Sequence, residues 1–348
     1  MSQPKSLSAK FLSVYCGDAI LLHYEGTDGD AKNILIDGGY VKTYRKILKP
    51  ELDAIRKRGE HIDLLILTHY DQDHIGGVLA FLHDKDFDIP SFIVRWWTNI
   101  DVPFKNINDE ISVGQIVKLR TYLKKIGKDP IEPITNELKP FDLDGATITL
   151  LSPDRQRYEA AAALIPEDTD LNIGGTGNDF DTPLADLQNK VVTEANEDTA
   201  IPNGSSIAMM VEFNGLNYLL LGDSHPSIVA QALNKLGYGK AKRLNVSWVK
   251  LAHHGSKFNI SNDLLDHIIT DTYVISVNGV NQHSLPHKET LVRIIQNGYR
   301  TEDTYFNFCF TYDEPELQGI FEVDDLQVQK TLKFELKFPE SSSTGYIL

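Results

Sequence analysis

An α/β (α+β) architecture, with two mixed β-sheets packed between layers of helices, is what this sequence predicts. One ground is Asp63 to Thr68 (DLLILT), a continuous apolar run of the kind found in strands buried on both faces. A second is the order of elements: short strands first, then strands alternating with helices, in each half of the chain. A third is that clusters of histidine and aspartate stand at the C-terminal ends of predicted strands. Rigid scaffolds present functional groups at such ends.

The elements follow in order. Leu12 to Tyr24 reads as two short strands around a Gly17-Asp18 turn, and Asn33 to Asp37 as a third strand stopped by Gly38-Gly39. Val41 to Arg58 is a basic amphipathic helix in which Pro50 marks a break. After Asp63 to Thr68 come the polar residues His69 to His74, then Gly76-Gly77 and a helix through His83. Ser91 to Trp97 is a strand, Ile111 to Ile126 a helix, and Ala146 to Leu151 a strand. Helices are expected near Arg155 to Leu164 and Ala185 to Val192. Ser206 to Phe213 and Asn217 to Leu221 flank Asn214-Gly215, a hairpin signal. Pro226 to Leu236 is a helix, Val246 to Ala252 and Tyr273 to Val277 are strands, and Lys288 to Asn297 is a helix. The tail from Phe306 to Phe338 carries strand-like runs.

The 348 residues, 41% hydrophobic and 24% charged, suffice for a sizeable core and exclude collagen, coiled coil and global disorder. The reading is a single domain over 1–348, with an acidic insertion or lid at about 152–200 and a strand-rich extension at about 301–348. No stretch reaches the ~20 apolar residues of a membrane span. Met1 to Lys10 is polar, unlike a signal peptide, and two cysteines, Cys16 and Cys309, cannot staple a fold of this size. A reducing, cytoplasmic home is the expectation. Net charge is −15, but unevenly spread: residues 152–200 hold 11 acids and 3 bases, whereas Ser224 to Asn262 holds six bases and no acid. The mean charge therefore does not exclude an anionic partner.

The chemistry sits in three clusters: His69-Tyr70-Asp71-Gln72-Asp73-His74, Gly222-Asp223 and His253-His254. Imidazole nitrogen and carboxylate oxygen suit zinc, manganese or iron, and the lack of nearby thiolate pairs argues against a structural zinc. It is the co-occurrence of the three clusters that points to a metal; a lone His or Asp at a strand end would not.

The string Thr68-His69-Tyr70-Asp71-Gln72-Asp73-His74-Ile75-Gly76-Gly77 resembles the metal motif of the metallo-β-lactamase superfamily. It is most similar to the branch that includes the hydrolase domain of ComEC competence proteins and bacterial phosphorylcholine esterases. Gly17-Asp18, Asp37-Gly38-Gly39, Asn203-Gly204-Ser205-Ser206, Leu220-Leu221-Gly222-Asp223 and His253-His254-Gly255-Ser256 follow that branch in order, over about residues 7–300. The resemblance implies an αββα metallo-β-lactamase sandwich holding one or two divalent metal ions. It implies that His69 and Asp71 face a first ion and Asp73 and His74 a second, with Asp223 bridging and His254 completing the second site. His253 is the alternative ligand, because adjacent residues of an extended chain point opposite ways; otherwise its role is catalytic. Asp37 would orient the histidine cluster from behind.

This chain departs from the pattern in two ways. Asp71 stands where the motif has its second His, which hardens the first site and favours manganese or magnesium over zinc. Between His74 and Asp223 the only other histidine is His83, so the usual middle ligand is missing. In the loop that follows, His283-Ser284-Leu285-Pro286-His287, either His287 or His283 contacts substrate or protonates a leaving group.

The expected reaction is hydrolysis by a metal-activated water, with Asp73 also accepting a proton. A phosphodiester of nucleic acid or of a small molecule leads as the substrate, because Lys250 and Lys257 flank His253-His254 and Val41 to Arg58 adds seven bases. The ComEC branch is associated with nuclease or phosphodiesterase activity. The alternatives are a carboxylic ester, lactone or thioester, or a metal-binding signalling or defence component with reduced hydrolysis. The protein works alone or with a separate protein partner.

Overall fold

The structure, a computed structural model, describes residues 7–99, 122–123, 125–126, 133–163, 178–193, 196–341 and 343–348. The predicted helix Ile111 to Ile126 lies almost wholly outside them. In chain order the strands are β1 (Ser8–Leu12), β2 (Ile20–Glu25), β3 (Ala31–Ile36), β4 (Ile62–Leu67), β5 (Ile93–Thr98), β6 (Phe141–Leu143), β7 (Ala146–Ser152) and β8 (Ala208–Phe213). They continue with β9 (Leu216–Leu220), β10 (Leu244–Asn245), β11 (Trp248–Lys250), β12 (Ile268–Ile269), β13 (Thr272–Ile275), β14 (Phe306–Phe310), β15 (Phe334–Lys337) and β16 (Gly345–Ile347).

One sheet has the order β16-β1-β2-β3-β4-β5 and the other β15-β14-β13-β11-β9-β8-β7-β6; β10 and β12 form a separate parallel pair. Both sheets are mixed. The first is antiparallel from β16 to β3 and parallel from β3 to β5. The second is parallel from β15 to β9 and antiparallel from β9 to β6.

The core has three layers, as alternating side chains on doubly covered sheets require. Leu64 and Ile66 of β4 join Met209, Val211, Leu220 and Trp248 between the sheets. Leu65 and Leu67 face outward, under Ile75, Val78 and Phe81 of the helix Gln72–Leu82. On the far side Leu219 and Leu221 pack under Val229 and Leu233 of the helix Pro226–Lys235 and Leu291 and Ile294 of the helix Lys288–Asn297. Every residue of β4 is buried, in keeping with its apolar run.

Asn214 and Gly215, with φ of 51° and 77°, make the tight turn between β8 and β9. The stretch after Asp37-Gly38-Gly39 winds in three ways: a 3-10 turn Val41–Thr43, a π turn Tyr44–Leu48 and an α-helix Lys49–Lys57. Pro50 therefore does not end a helix. It opens the α-helical part, in the first turn, where its missing N–H has no partner to lose.

The acidic stretch includes the helices Arg155–Ala163 and Leu184–Lys190. Phe180, Leu184, Leu187 and Val191 are buried in the outer core of the second sheet. Asp179 accepts hydrogen bonds from the backbone N–H groups of Lys288 and Glu289, opening the last long helix. The C-terminal residues serve both sheets: β14 and β15 extend the second, and β16 pairs with β1 and covers the first sheet's edge.

Candidate metal centre

The candidate side chains leave from the C-terminal ends of parallel strands of both sheets. Asp37 follows β3, His69 follows β4, Asp223 follows β9, and His253 and His254 follow β11. Asp73 and His74 lie in the first turn of the helix Gln72–Leu82. The Asp37-Gly38-Gly39 loop is bonded to that helix: Gly38 N–H donates to the His74 carbonyl, and Gly77 N–H to the Gly39 carbonyl. A Cβ at Gly77 would overlap the Gly38 carbonyl oxygen, so only glycine permits this approach.

Asp223, 2% exposed, is the hub. Its Oδ1 lies 3.5 Å from His74 Nε2. Its Oδ2 lies 3.7 Å from His69 Nε2 and 3.9 Å from both His253 Nε2 and His254 Nε2. Asp71 Oδ2 lies 3.6 Å from His69 Nε2, and Asp73 Oδ2 lies 3.2 Å from His254 Nε2 and 3.6 Å from His74 Nε2.

The outer partners fix which ring nitrogen faces the centre. His74 Nδ1 donates to Asp37 Oδ2 at 2.7 Å, and His254 Nδ1 donates to the Ser276 carbonyl at 3.0 Å. Thr68 Oγ1 gives its proton to Asp37 Oδ2 at 2.6 Å, so it can accept from His69 Nδ1 at 3.1 Å. In the neutral rings, Nε2 of His69, His74 and His254 is then a bare lone pair turned toward the carboxylates, as metal-ligating imidazoles require.

The electrostatics agree. Burial works against charge at each group, but the mutual attraction outweighs it. Asp223 is held well below the usual carboxylate range by His74, His253 and His254. Asp73 is lowered to about 2 by His74 and His254. His74 is raised well above its ordinary value by Asp223, Asp73 and Asp37, His69 is raised by Asp71 and Asp223, and His253 is raised to about 9 by Asp223 and Asp198. A divalent ion bound here would take the place of these imidazolium protons. The donor set fits one: His69 Nε2, His74 Nε2 and Asp223 Oδ1 are buried without a hydrogen-bond partner, and His69, His74 and Asp223 converge, as do Asp73, His74 and His254.

The sequence-based expectation that His253 and His254 point opposite ways does not match the backbone. Both residues are left-handed, with φ of 46° and 54°, and both rings reach the same carboxylate oxygen. Lys250 does not face a substrate as expected. It is fully buried, in an ion pair with Asp18 at 2.7 Å. Elsewhere in the acid-free stretch, Lys240 and Arg243 pair with Asp266, and Lys257 lies 3.7 Å from Glu289. His287 Nδ1 accepts the Lys257 N–H at 3.3 Å. Burial, with Lys257 and His253 nearby and Asp179 opposing, pushes His287 down to about 4. His283 is the loop histidine that feels Asp73 and Asp71; burial first and then His253 lower it.

Sequence reasoning missed Asp198. It is buried, and its Oδ2 accepts from Asn203 Nδ2 at 2.7 Å and Asn259 Nδ2 at 3.0 Å while lying 3.5 Å from His253 Nδ1. It sits in a stretch without periodicity, and only its position just before Asn203 hinted at the site.

Residues 18–92 match the sequence model of the metallo-beta-lactamase superfamily. That match, the motif it contains and the two mixed sheets between helices give this chain the metallo-β-lactamase fold, an αββα sandwich. Among curated relatives, ComE operon protein 3 of Bacillus subtilis (strain 168) is 27% identical over 140 residues, which are 40% of this chain and 17% of that protein. Two solved structures are similar at low identity. The metallo-beta-lactamase fold protein YhfI of Bacillus subtilis is 11% identical with a TM-score of 0.40, over 98% of both chains. A diphosphatase from the PhnP family is 13% identical with a TM-score of 0.40, over 86% of this chain and 96% of its own. Among the described residues no helix is long and apolar enough to cross a membrane.

Proposed function

We propose that this chain is a metal-dependent hydrolase of phosphodiesters. His69 and Asp71 face a first divalent ion, Asp73, His74 and His254 a second, and Asp223 lies between them. The observation that carries the reading is the convergence of imidazole Nε2 atoms on one buried carboxylate, with three of them left bare by their outer partners. When bound, zinc or manganese ions supply an ionised water as nucleophile and positive charge for the oxygens of the scissile group.

The protein's own contribution is positioning. Asp37, Thr68 and Ser276 lock the ring tautomers, and burial at the strand ends keeps bulk water from Asp37 and Asp223, while Asp71 and Asp73 stay open to it. Asp73 is the group poised to take a proton from the incoming water. His287, neutral with Nδ1 engaged, offers a hydrogen bond from Nε2–H and is not a proton source. Asp71 in place of an imidazole favours a hard ion, and hard ions suit phosphate oxygens. Lys42 is exposed and held over the rings of Tyr15 and Tyr40, an added cation beside the loop that follows Asp37. The resemblance to the ComEC branch points to the same substrate class.

The test is metal analysis of the purified protein together with hydrolysis of bis(p-nitrophenyl) phosphate under added manganese or zinc. Turnover by the wild type that is absent from Asp73→Ala supports the reading. Bound metal without turnover turns it toward a carboxylic ester or a binding component.

A further inference from the structure

The first site, with His69, Asp71 and Asp223, has one imidazole, because no histidine stands at the usual middle position. We infer that His253 supplies the missing nitrogen: it is a ligand of the first ion, with Asp198 and Asn259 as the residues that position it. The inference rests on the two-ion reading above.

Asn259 sets the arrangement. Its side-chain NH2 is within bonding distance of three acceptors: Asp198 Oδ2 at 3.0 Å, the Asp223 carbonyl at 3.2 Å and the Ser224 carbonyl at 3.3 Å. These contacts fix the amide orientation, so Oδ1 is the atom 3.1 Å from His253 Nδ1. An amide oxygen only accepts, and Asp198 Oδ2 accepts as well; Asn203 Nδ2, 3.4 Å from Nδ1, gives its short bond of 2.7 Å to Asp198 Oδ2 instead. His253 Nδ1 therefore carries a proton, and in the neutral ring Nε2 is a lone pair. This is the arrangement that Asp37 imposes on His74, built a second time from different residues.

That lone pair faces Asp223, as does that of His254 at the same distance. His253 Nε2 and His69 Nε2 approach the same oxygen of Asp223, at 3.9 and 3.7 Å. Donors bound to one zinc-like ion at ordinary bond lengths stand about 3.4 Å apart at a tetrahedral angle. The gaps from the two rings to the Asp223 oxygen exceed that by a few tenths of an ångström, and His253 must still swing toward His69 to share an ion with it. His254 lies on the second side, 3.2 Å from Asp73, whereas His253 leans toward Asp198. The left-handed backbone at both residues is what sends two neighbouring rings to two sites across one carboxylate.

The test is metal binding without turnover. Manganese stoichiometry and affinity are measured by competition with a chelator and by electron paramagnetic resonance. The full chain is compared with His253→Ala, His254→Ala and Asp198→Asn, and circular dichroism checks that each variant is folded. The wild type is expected to hold two ions. His253→Ala weakens one of them at least tenfold and leaves the other within threefold. His254→Ala weakens the other, and Asp198→Asn weakens the same ion as His253→Ala, by about tenfold. Full loading of His253→Ala at wild-type affinity overturns the assignment, and lost turnover in that variant would then make His253 a catalytic residue. A wild type that binds no ion overturns the hydrolase reading and this one together, and differs visibly from the first result.

Discussion

Asp37→Asn removes one charge from behind the centre and almost nothing else. Asp37 is fully buried with φ of 56°, a left-handed conformation that asparagine also tolerates, so the backbone is kept. Its Oδ1 accepts the Thr68 N–H at 2.8 Å, and its Oδ2 accepts from Thr68 Oγ1 and His74 Nδ1. Asparagine has one acceptor and one NH2. In one orientation the NH2 meets the Thr68 N–H; in the other it meets the His74 Nδ1–H. Either way a buried donor is stranded, at about 1–3 kcal/mol, and a charge-assisted bond weakens, so about 2–4 kcal/mol of stability is lost. If the amide pushes His74 to the other tautomer, Nε2 gains a proton and loses its lone pair. Ion affinity then falls about 10–100-fold. Urea unfolding of the metal-free protein reads the first quantity, and chelator competition reads the second. An unchanged urea midpoint together with affinity within threefold of wild type would refute the claim that Asp37 sets the tautomer.

Two further outcomes are expected. Lys250→Met leaves Asp18 buried and unpaired, which costs about 3–5 kcal/mol, and adding Asp18→Asn recovers part of it; equal destabilisation of the single and double variants in urea would contradict a coupled pair. Asp84, bonded to Lys49, Tyr44 and the Asp86 N–H, is lowered to about 2, although burial opposes the shift. Because its folded value lies below the unfolded value of about 4, its stabilisation is complete above about pH 4 and fades as pH falls toward 2. The stability gap between wild type and Asp84→Asn should therefore shrink between pH 5 and pH 2.5, and a constant gap would show that the carboxylate does not contribute this way.

Much of the scaffold was legible because it rests on local chemistry. The apolar run of β4, the Asn214-Gly215 turn and the helix Lys288–Asn297 each announce themselves within a dozen residues. So do the clusters at the strand ends, which the fold brings together around Asp223. What was not legible depends on residues far apart in the chain. Lys250 looks like a surface cation next to a histidine pair; only the pairing of β11 inside the second sheet buries it against Asp18, 232 residues away. Asp198 is one acid among many in an aperiodic stretch, and nothing local says that it meets Asn203 and Asn259. The pairing of β16 with β1 joins the two ends of the described chain, which periodicity cannot report.

The turn at His253-His254 shows why such a site needs a fold rather than a motif. Left-handed backbone at two consecutive non-glycine residues costs about 1–3 kcal/mol each. In an extended strand one of the two rings would point away from Asp223 at no such cost. The strain is held by bonds on every side: His253 N–H donates to the Gly222 carbonyl at 2.9 Å, Ser256 N–H closes back on the His253 carbonyl at 2.9 Å, and each ring is anchored at Nδ1, by Asn259 and by Ser276. Gly255, with φ of 84°, takes the third left-handed position, where a side chain would run into Pro286. The bond from His253 to Gly222 also ties this turn to the residue before Asp223, so the two histidines and the carboxylate they share keep their spacing as one unit. A spacing fixed in advance would let the proposed ions be held without the protein rearranging to receive them, and here it is set by hydrogen bonds that lie outside the ring of candidate ligands.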